Sequence, residues 1–201
     1  MNPLLRKLTN IWGRGAVTLE IPPSVQMTWP ELIREVVAQA PLSDSPIHGE
    51  KHWMSVAKTA FLISDLTGYA DKASLLGFAL FHDSRRFYDQ ADPDHGLRAG
   101  VYAEQHEGLL QVVGHDKRND IAEACSSHNW PDTSQDMFTG ICLDADRINL
   151  IRLGRRINPS YMSILREEDM RAMISLTEKH MNKPPSWDDL IREVMNEEQQ
   201  G

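Results

Sequence analysis

The chain is poor in the residues that cross-link small extracellular domains. Its 201 residues include two cysteines, Cys125 and Cys142, and these form no CxxC pair. This count excludes a disulfide framework and a cysteine-rich zinc knuckle, and it predicts a protein of the reduced cytoplasm. We expect both thiols to be small core side chains.

Long apolar stretches and an excess of basic residues are also missing. No segment reaches the roughly 18 consecutive apolar residues of a transmembrane helix, and the polar N-terminus "MNPLLRKLTNIWGRG" is not typical of a signal peptide. We therefore expect no association with a membrane. Acidic residues outnumber basic ones 29 to 21, and the formal net charge is -8, so a broad nucleic-acid-binding surface is not expected. A small phosphorylated substrate remains compatible with this charge, because local basic residues or a metal can attract it.

Helical patterns run through nearly the whole chain. Helix starts are predicted at Thr28–Glu31, Ser45–Pro46, Asp92–Pro93 and Ser186–Asp189. The segment "DKASLLGFALF" is apolar on nearly every side, which predicts a buried central helix. One segment, "AVTLEI" at residues 16–21, alternates as a short strand would. These patterns predict an all-α bundle of about seven to nine helices, with a core at residues 45–155 and helical extensions at residues 1–44 and 156–201.

Several polar side chains fall at helix ends or at core-facing positions. His52 begins the apolar stripe of its helix, His82 and Asp83 close the buried helix, and Asp146 lies within the apolar segment "ICLDADRINL". An unpaired carboxylate there would cost free energy, and a shared metal ion would remove that cost. Imidazole and carboxylate without thiolate suit one or two divalent transition metals, with iron and manganese ahead of cobalt, nickel and zinc.

The order of these segments resembles the HD superfamily of metal-dependent phosphohydrolases. "HWMSVAKTA" is similar to the first-ligand helix of that family, "LFHDSRR" to the motif that names it, and "DADRINLIRLG" to its closing aspartate helix. The resemblance covers about residues 45–155. Two intervening segments, "DPDHGLRAG" and "EACSSHN", resemble those that supply two further histidines in six-ligand members, including the HD-type diadenosine tetraphosphate hydrolases.

The resemblance implies two metal sites that share one carboxylate. The first site would be formed by His52, His82, Asp83 and Asp146, and the second by Asp83, His95 and His128. In an alternative with a single ion, the last two histidines would contact the substrate instead.

The implied reaction is hydrolysis of a phosphomonoester or phosphodiester, in a nucleotide or another small phosphoester, by water that the metal deprotonates. Asp83 and Arg86 would be the catalytic residues. Arg86 stands where many relatives carry a lysine that faces the substrate phosphate, and arginine can bind phosphate in a bidentate way. The expected substrate-binding residues are His48, Arg86 and Arg147, with Arg85 as an alternative. His48 is four residues before His52, so it could instead support the ligands or form an HxxxH metal pair.

Two other functions are compatible with the same ligands. A small branch of the HD superfamily uses a similar di-iron site to oxidise small alcohols or phosphonates. A non-catalytic regulator could bind a nucleotide at a vestigial site. No motif identifies the substrate, and a homodimer is one possible assembly.

The remaining polar and aromatic residues have ordinary structural interpretations. His106, His115 and His180 are expected on solvated helix faces, and Asp144 on the surface or in a salt bridge. Lys51 and Arg98 could reach a phosphate, but ordinary surface charges are expected. Trp53 and Trp130 adjoin proposed ligands, so each could wall a pocket or pack in the core.

Overall fold

The computed structural model describes residues 26–199 as a bundle of helices. The α-helices in this range are α1 (Trp29–Gln39), α2 (Glu50–Thr67), α3 (Lys72–Phe81), α4 (His95–Gln105), α5 (Glu107–Val113), α6 (His115–Ser127), α7 (Met137–Ile148), α8 (Glu167–Asn182) and α9 (Trp187–Glu198). Two short 3-10 helices, Asn149–Leu153 and Pro159–Tyr161, follow α7. The described residues contain no strand, so the prediction of an all-α fold is confirmed for them. The possible strand at residues 16–21 lies outside the described residues.

Helix α3 is at the centre of the bundle, as its apolar sequence predicts. All residues from Ala73 to Phe81 are buried, and the helix contacts α1, α2, α4, α5, α6, α7 and α9. Because α3 is surrounded, the next two residues, His82 and Asp83, lie in the interior and not at the surface. Within residues 26–199, no helix combines the length and the apolar character needed to cross a membrane.

Helices α4 and α6 approach each other closely because α4 carries two glycines. Gly96 and Gly100 are one turn apart, and a Cβ atom at Gly100 would lie 2.6 Å from the carbonyl oxygen of Ala122 in α6. A separation this short is a steric clash, so a larger side chain would push the helices apart. The close approach brings His95, the first residue of α4, next to His128, which follows the last residue of α6.

Helix α2 begins later than the sequence predicts. The Ser45–Pro46 pair does not start it, because the Ser45 hydroxyl accepts the backbone N–H groups of Ile47 and His48 and closes a turn. The first helical residue is Glu50. His48 therefore lies in the turn before the helix.

Helix α4 also begins later than expected. Asp92 does not cap it, because its carboxylate accepts the backbone N–H of Phe87 and pairs with Arg98 at 2.6 Å. Arg98 is thus held in an ion pair that was not expected. By contrast, the capping boxes of α1 and α9, Thr28–Glu31 and Ser186–Asp189, are confirmed.

Candidate metal centre and substrate pocket

Five helices bring the predicted metal ligands to one point inside the bundle. Helix α2 supplies a histidine, the end of α3 a histidine and an aspartate, α4 and α6 one histidine each, and α7 an aspartate. In chain order these residues are His52, His82, Asp83, His95, His128 and Asp146. The first five are buried, and the Asp146 side chain is 17% exposed.

The first group of donor atoms comes from His52, His82, Asp83 and Asp146. His52 Nε2 lies 3.3 Å from His82 Nε2 and 3.3 Å from Asp146 Oδ1. Asp83 Oδ2 lies 3.6 Å from His52 Nε2 and 3.7 Å from His82 Nε2. Donor atoms that each lie about 2.0–2.2 Å from one ion are about 3–4 Å apart. His52, His82 and Asp83 therefore have the spacing of donors around one ion, and Asp146 Oδ1 lies beside the two histidine nitrogens.

The second group of donor atoms comes from Asp83, His95 and His128. His95 Nε2 lies 3.0 Å from His128 Nε2 and 3.3 Å from Asp83 Oδ1. His128 Nε2 lies 3.8 Å from the same Asp83 oxygen. Asp83 thus belongs to both groups, with Oδ2 facing the first and Oδ1 facing the second.

The state of Asp83 fits a bound cation. Its Oδ1 atom is buried and accepts no hydrogen bond within the described part of the chain, which is costly for a carboxylate. Burial raises the pKa of Asp83, but the surrounding imidazoles outweigh burial and hold that pKa well below its usual range. A buried anion whose Oδ1 atom accepts no hydrogen bond from the described residues, surrounded by imidazole nitrogens, is an arrangement that a divalent transition metal satisfies.

Three of the imidazoles are oriented by the backbone. The Nδ1–H groups of His82, His95 and His128 each donate to the carbonyl group three residues earlier, which leaves the Nε2 lone pairs for a metal. Burial lowers the pKa of His52 and of His95 to about 4, and it also lowers the pKa of His82. Burial acts in the same direction on His128, but attraction to Asp83 outweighs it and raises that pKa. Neutral imidazole is the form that binds a metal.

Arg86 lies against the second group without blocking it. Its Nη1 atom is 3.5 Å from Asp83 Oδ1, and it is 3.0 Å and 3.2 Å from the Nε2 and Nδ1 atoms of His95. An atom on the lone-pair axis of Nε2 would be much farther from Nδ1 than from Nε2, so the guanidinium lies over the ring face. The carbonyl groups of Tyr88 and Gln90 accept its other N–H groups. A fixed positive charge therefore stands beside Asp83.

His48 lies beside the first group and lines the adjoining pocket. Its ring and that of His52 meet edge-on, with centroids 6.4 Å apart. The Asp89 carboxylate accepts the His48 Nδ1–H at 3.0 Å and the Ser45 hydroxyl at 2.6 Å, and these bonds lower the pKa of Asp89. Because Nδ1 is engaged, Nε2 is the ring nitrogen left for a substrate.

A pocket of about 850 Å³ adjoins the metal groups and includes Asp83, His95, His128 and Asp146 in its lining. The same lining carries five arginines, namely Arg86, Arg147, Arg152, Arg155 and Arg156. This is a local excess of positive charge in an acidic chain. Arg152, Arg155 and Arg156 were not predicted from the sequence, although the basic segment "IRLGRR" that follows α7 indicated positive charge there.

Arg152, which was not predicted from the sequence, places a positive charge near the metal groups. Its Nε–H donates to the carbonyl of Ile47 at 2.9 Å and its Nη1 to that of Asn149 at 2.8 Å. Burial lowers the pKa of Arg152, and attraction to Asp146 and Asp83 opposes this shift. The guanidinium is thus anchored by the backbone near two proposed metal ligands.

Arg147, which was expected to bind substrate, fastens the pocket wall. Its Nη2 donates to the carbonyl groups of Trp130 and Asp132, at 2.8 Å and 2.6 Å, and its Nη1 donates to that of Tyr161. Three bonds to carbonyl groups occupy most of the donors of this buried guanidinium. Arg147 thus positions the wall, and because it also lines the pocket, its contact with substrate stays a prediction.

Asp144 is buried, and its expected place on the surface was wrong. Its carboxylate accepts the backbone N–H groups of Ser163, Ile164 and Leu165 at 2.6 Å, 2.8 Å and 2.8 Å. Asp144 faces away from Asp146, as expected, but the segment at residues 163–165 covers that side of α7. In the "DADR" motif, Asp146 therefore lies at the metal groups, while Asp144 and Arg147 hold the wall in place.

Two further histidines differ from the expectation of a solvated helix face. His106 is buried, with its Nε2 atom 3.6 Å from Glu35 of α1, because α1 covers this side of the bundle. His180 is half-buried, and its Nε2 lies 3.1 Å from the Thr59 hydroxyl of α2. His115 is exposed as expected.

The remaining candidates separate into core, wall and surface. Trp53 is fully buried in the core, whereas Trp130 is 56% exposed and lines the pocket. Arg85 lies over the ring of Tyr102, 3.4 Å from its centroid, and does not line the pocket. Lys51 is exposed, as expected.

Comparisons with family models, curated proteins and solved structures gave no match for this chain. The functional inference therefore depends on the geometry and chemistry of the site.

Proposed function

We propose that this chain is an HD-type metal-dependent phosphohydrolase that cleaves a phosphoester at the metal groups around Asp83. The observation that carries the proposal is the position of Asp83, whose two oxygens face two separate groups of imidazoles. The adjoining pocket is rich in arginine, which favours an anionic substrate. Imidazole and carboxylate donors favour iron or manganese as the resident metal.

When bound, the cations would lower the pKa of a water molecule and offset negative charge on the phosphoryl group. Asp83 would hold the two groups of ligands next to each other, because each of its oxygens faces one group. Arg86 and Arg152 would bind the nonbridging phosphate oxygens, and each is already held in place by two backbone carbonyl groups. His48 would contact the leaving group through Nε2, while Asp89 fixes the ring.

The proposal is tested with p-nitrophenyl phosphate and bis(p-nitrophenyl) phosphate in the presence of manganese(II) or iron(II). We expect metal-dependent release of p-nitrophenol that a chelator abolishes. Asp83→Ala should lose metal binding and hydrolysis together, while circular dichroism shows that the helices are retained. Asp116→Asn is the matched control, because the Asp116 side chain is fully exposed on α6.

Full hydrolytic activity in the Asp83→Ala protein would eliminate the proposal. Oxygen consumption by the iron-loaded protein without release of phosphate from any substrate would contradict hydrolysis and favour the oxygenase alternative.

A further inference from the structure

We propose that Asn149 is a positioning residue of the metal centre, which fixes the separation of His52 and Asp146 through the hydroxyl group of Ser55. The inference rests on the metal groups of the proposed function, and it assigns a role to a buried residue outside both groups of ligands. It depends on the hydrogen bonds of the Asn149 side chain and on where these bonds lie along the two helices that they join.

A second contact joins the two helices that meet at His52 and Asp146. His52 belongs to α2 and Asp146 to α7, and His52 Nε2 lies 3.3 Å from Asp146 Oδ1. Ser55 is three residues after His52, and Asn149 is three residues after Asp146, so each lies about one turn further on the same side of its helix. The Ser55 hydroxyl donates to Asn149 Oδ1 at 2.5 Å. The helices are therefore cross-linked one turn away from the ligand pair.

The side chain of Asn149 is held in one orientation in the interior. It is fully buried, and its Nδ2 atom donates to the Thr59 hydroxyl at 3.0 Å and to the carbonyl of Ala145 at 2.8 Å. A carbonyl oxygen only accepts, so the amino group of the amide must face Ala145 and its oxygen must face Ser55. Because Ser55 and Thr59 both belong to α2, the amide binds that helix at two points.

These contacts act on the first group of ligands and not on the second. Asp146 lies in the last turn of α7, and Asn149 is the residue that caps this helix. The last turn of a helix has carbonyl groups without helical partners, so tertiary contacts decide where it lies. Without the bond to Ser55, this turn could move relative to α2 and separate the donor atoms of the first group. The second group takes its ligands from α4, α6 and the end of α3, and none from α2 or α7.

The first experiment measures manganese(II) binding by calorimetry in two variants that each preserve one complete group of ligands. His128→Asn preserves the first group, and Asp146→Asn preserves the second. Adding Ser55→Ala to the His128→Asn protein should weaken binding about 10-fold, the lower end of the effect of residues that orient metal ligands. Adding it to the Asp146→Asn protein should change the affinity by less than about twofold, as expected for independent sites.

Ser64→Ala is the matched control, because it removes the same chemical group from the same helix. Ser64 is buried in α2, and its hydroxyl donates to the carbonyl of Tyr69 at 2.5 Å. Both serine variants should lower the Tm of the chelator-treated protein to a similar extent. Only Ser55→Ala should change the affinity for manganese(II), so the control separates positioning of the ligands from a general loss of stability.

The second experiment changes Thr59, the other partner that Asn149 has in α2. Thr59→Val keeps the shape of the side chain but removes the hydroxyl, so it should weaken manganese(II) binding in the His128→Asn protein. Thr59→Ser keeps the hydroxyl and should preserve the affinity. This pair tests the inference even where Ser55→Ala does not fold.

Equal effects of Ser55→Ala and Ser64→Ala on manganese(II) affinity would overturn the inference, and so would equal affinities of the two Thr59 variants. Weaker binding at the first group alone, in a protein that hydrolyses no phosphoester, would support the inference and refute the proposed function. Hydrolysis by a protein whose metal affinity does not respond to these changes would leave the proposed function in place. Failure of the unsubstituted protein to bind manganese(II) or iron(II) would refute both.

Discussion

Substitution of Asp83 by asparagine is expected to abolish the stabilisation of the protein by metal at both groups. Asparagine keeps the size of the side chain but loses its charge, so it attracts a divalent cation less strongly than the carboxylate does. The two oxygens of Asp83 face different groups. The effect should therefore exceed that of Asp146→Asn, which affects the first group, and of His128→Asn, which affects the second.

The expected magnitude follows from binding linkage. A metal at 1,000 times its dissociation constant stabilises the folded state by about 4 kcal/mol per site. For a domain of this size, each kcal/mol raises Tm by about 2–4 °C, so one filled site should raise Tm by about 8–16 °C. Two filled sites should raise it further. Asp83→Asn should remove nearly the whole increase, while the other two variants retain part of it.

The assay is thermal unfolding followed by circular dichroism, first with a chelator and then with increasing manganese(II). The chelated form of each variant serves as its own baseline, which separates loss of metal binding from any change in the metal-free fold. The bridging role of Asp83 would be refuted if Asp83→Asn kept the wild-type increase in Tm, or if the wild type showed no increase at saturating metal.

Further outcomes are expected from residues around the site. Gly100→Ala should force α4 away from α6 and lower the free energy of unfolding by about 1–3 kcal/mol. It should also weaken metal binding at the second group, which calorimetry would detect. Unchanged stability would contradict the close packing of α4 and α6. Asp144→Asn should cost about 1–3 kcal/mol in urea denaturation, since one carboxylate serves three backbone N–H groups, and no loss would refute that role. Arg152→Gln should raise the KM for a phosphoester more than Arg171→Gln does, because Arg171 is exposed and outside the pocket. Equal effects would place Arg152 outside the substrate site. Burial lowers the pKa of His180 from 6.5 to about 4, so between these pH values the unfolded chain binds a proton that the folded protein excludes. The free energy of unfolding should therefore fall as pH decreases from 6.5 to about 4. His180→Asn should make this dependence on pH weaker.

Much of the fold was predictable because it depends on periodic apolar patterns. The all-apolar run of α3 indicated the centre of the bundle, and the same run placed His82 and Asp83 in the interior. Helix starts were less predictable. Ser45 and Asp92 are both good capping residues, yet their side chains bind other backbone and arginine donors, and those contacts come from tertiary structure.

A cluster of polar side chains could be predicted because they stand at helix ends or on apolar helix faces, where a polar side chain is costly unless it has a partner. Their assignment to two metal sites came from the resemblance to the HD superfamily. The pocket could not be predicted in the same way. Part of its wall is formed by 3-10 and irregular segments after α7, which have no apolar period. The basic segment there indicated positive charge, but no period indicated that Arg155 and Arg156 would line a pocket. Asp144 was misassigned because helix geometry gives the direction of a side chain but not what covers it.

The proposed chemistry requires two cations, one on either side of Asp83, and anomalous diffraction from crystals grown with manganese(II) would locate them. We expect two anomalous peaks, one among His52, His82 and Asp146 and the other between His95 and His128. A well-ordered crystal with manganese(II) in excess and no anomalous peak within bonding distance of the Asp83 carboxylate would contradict the two-cation site.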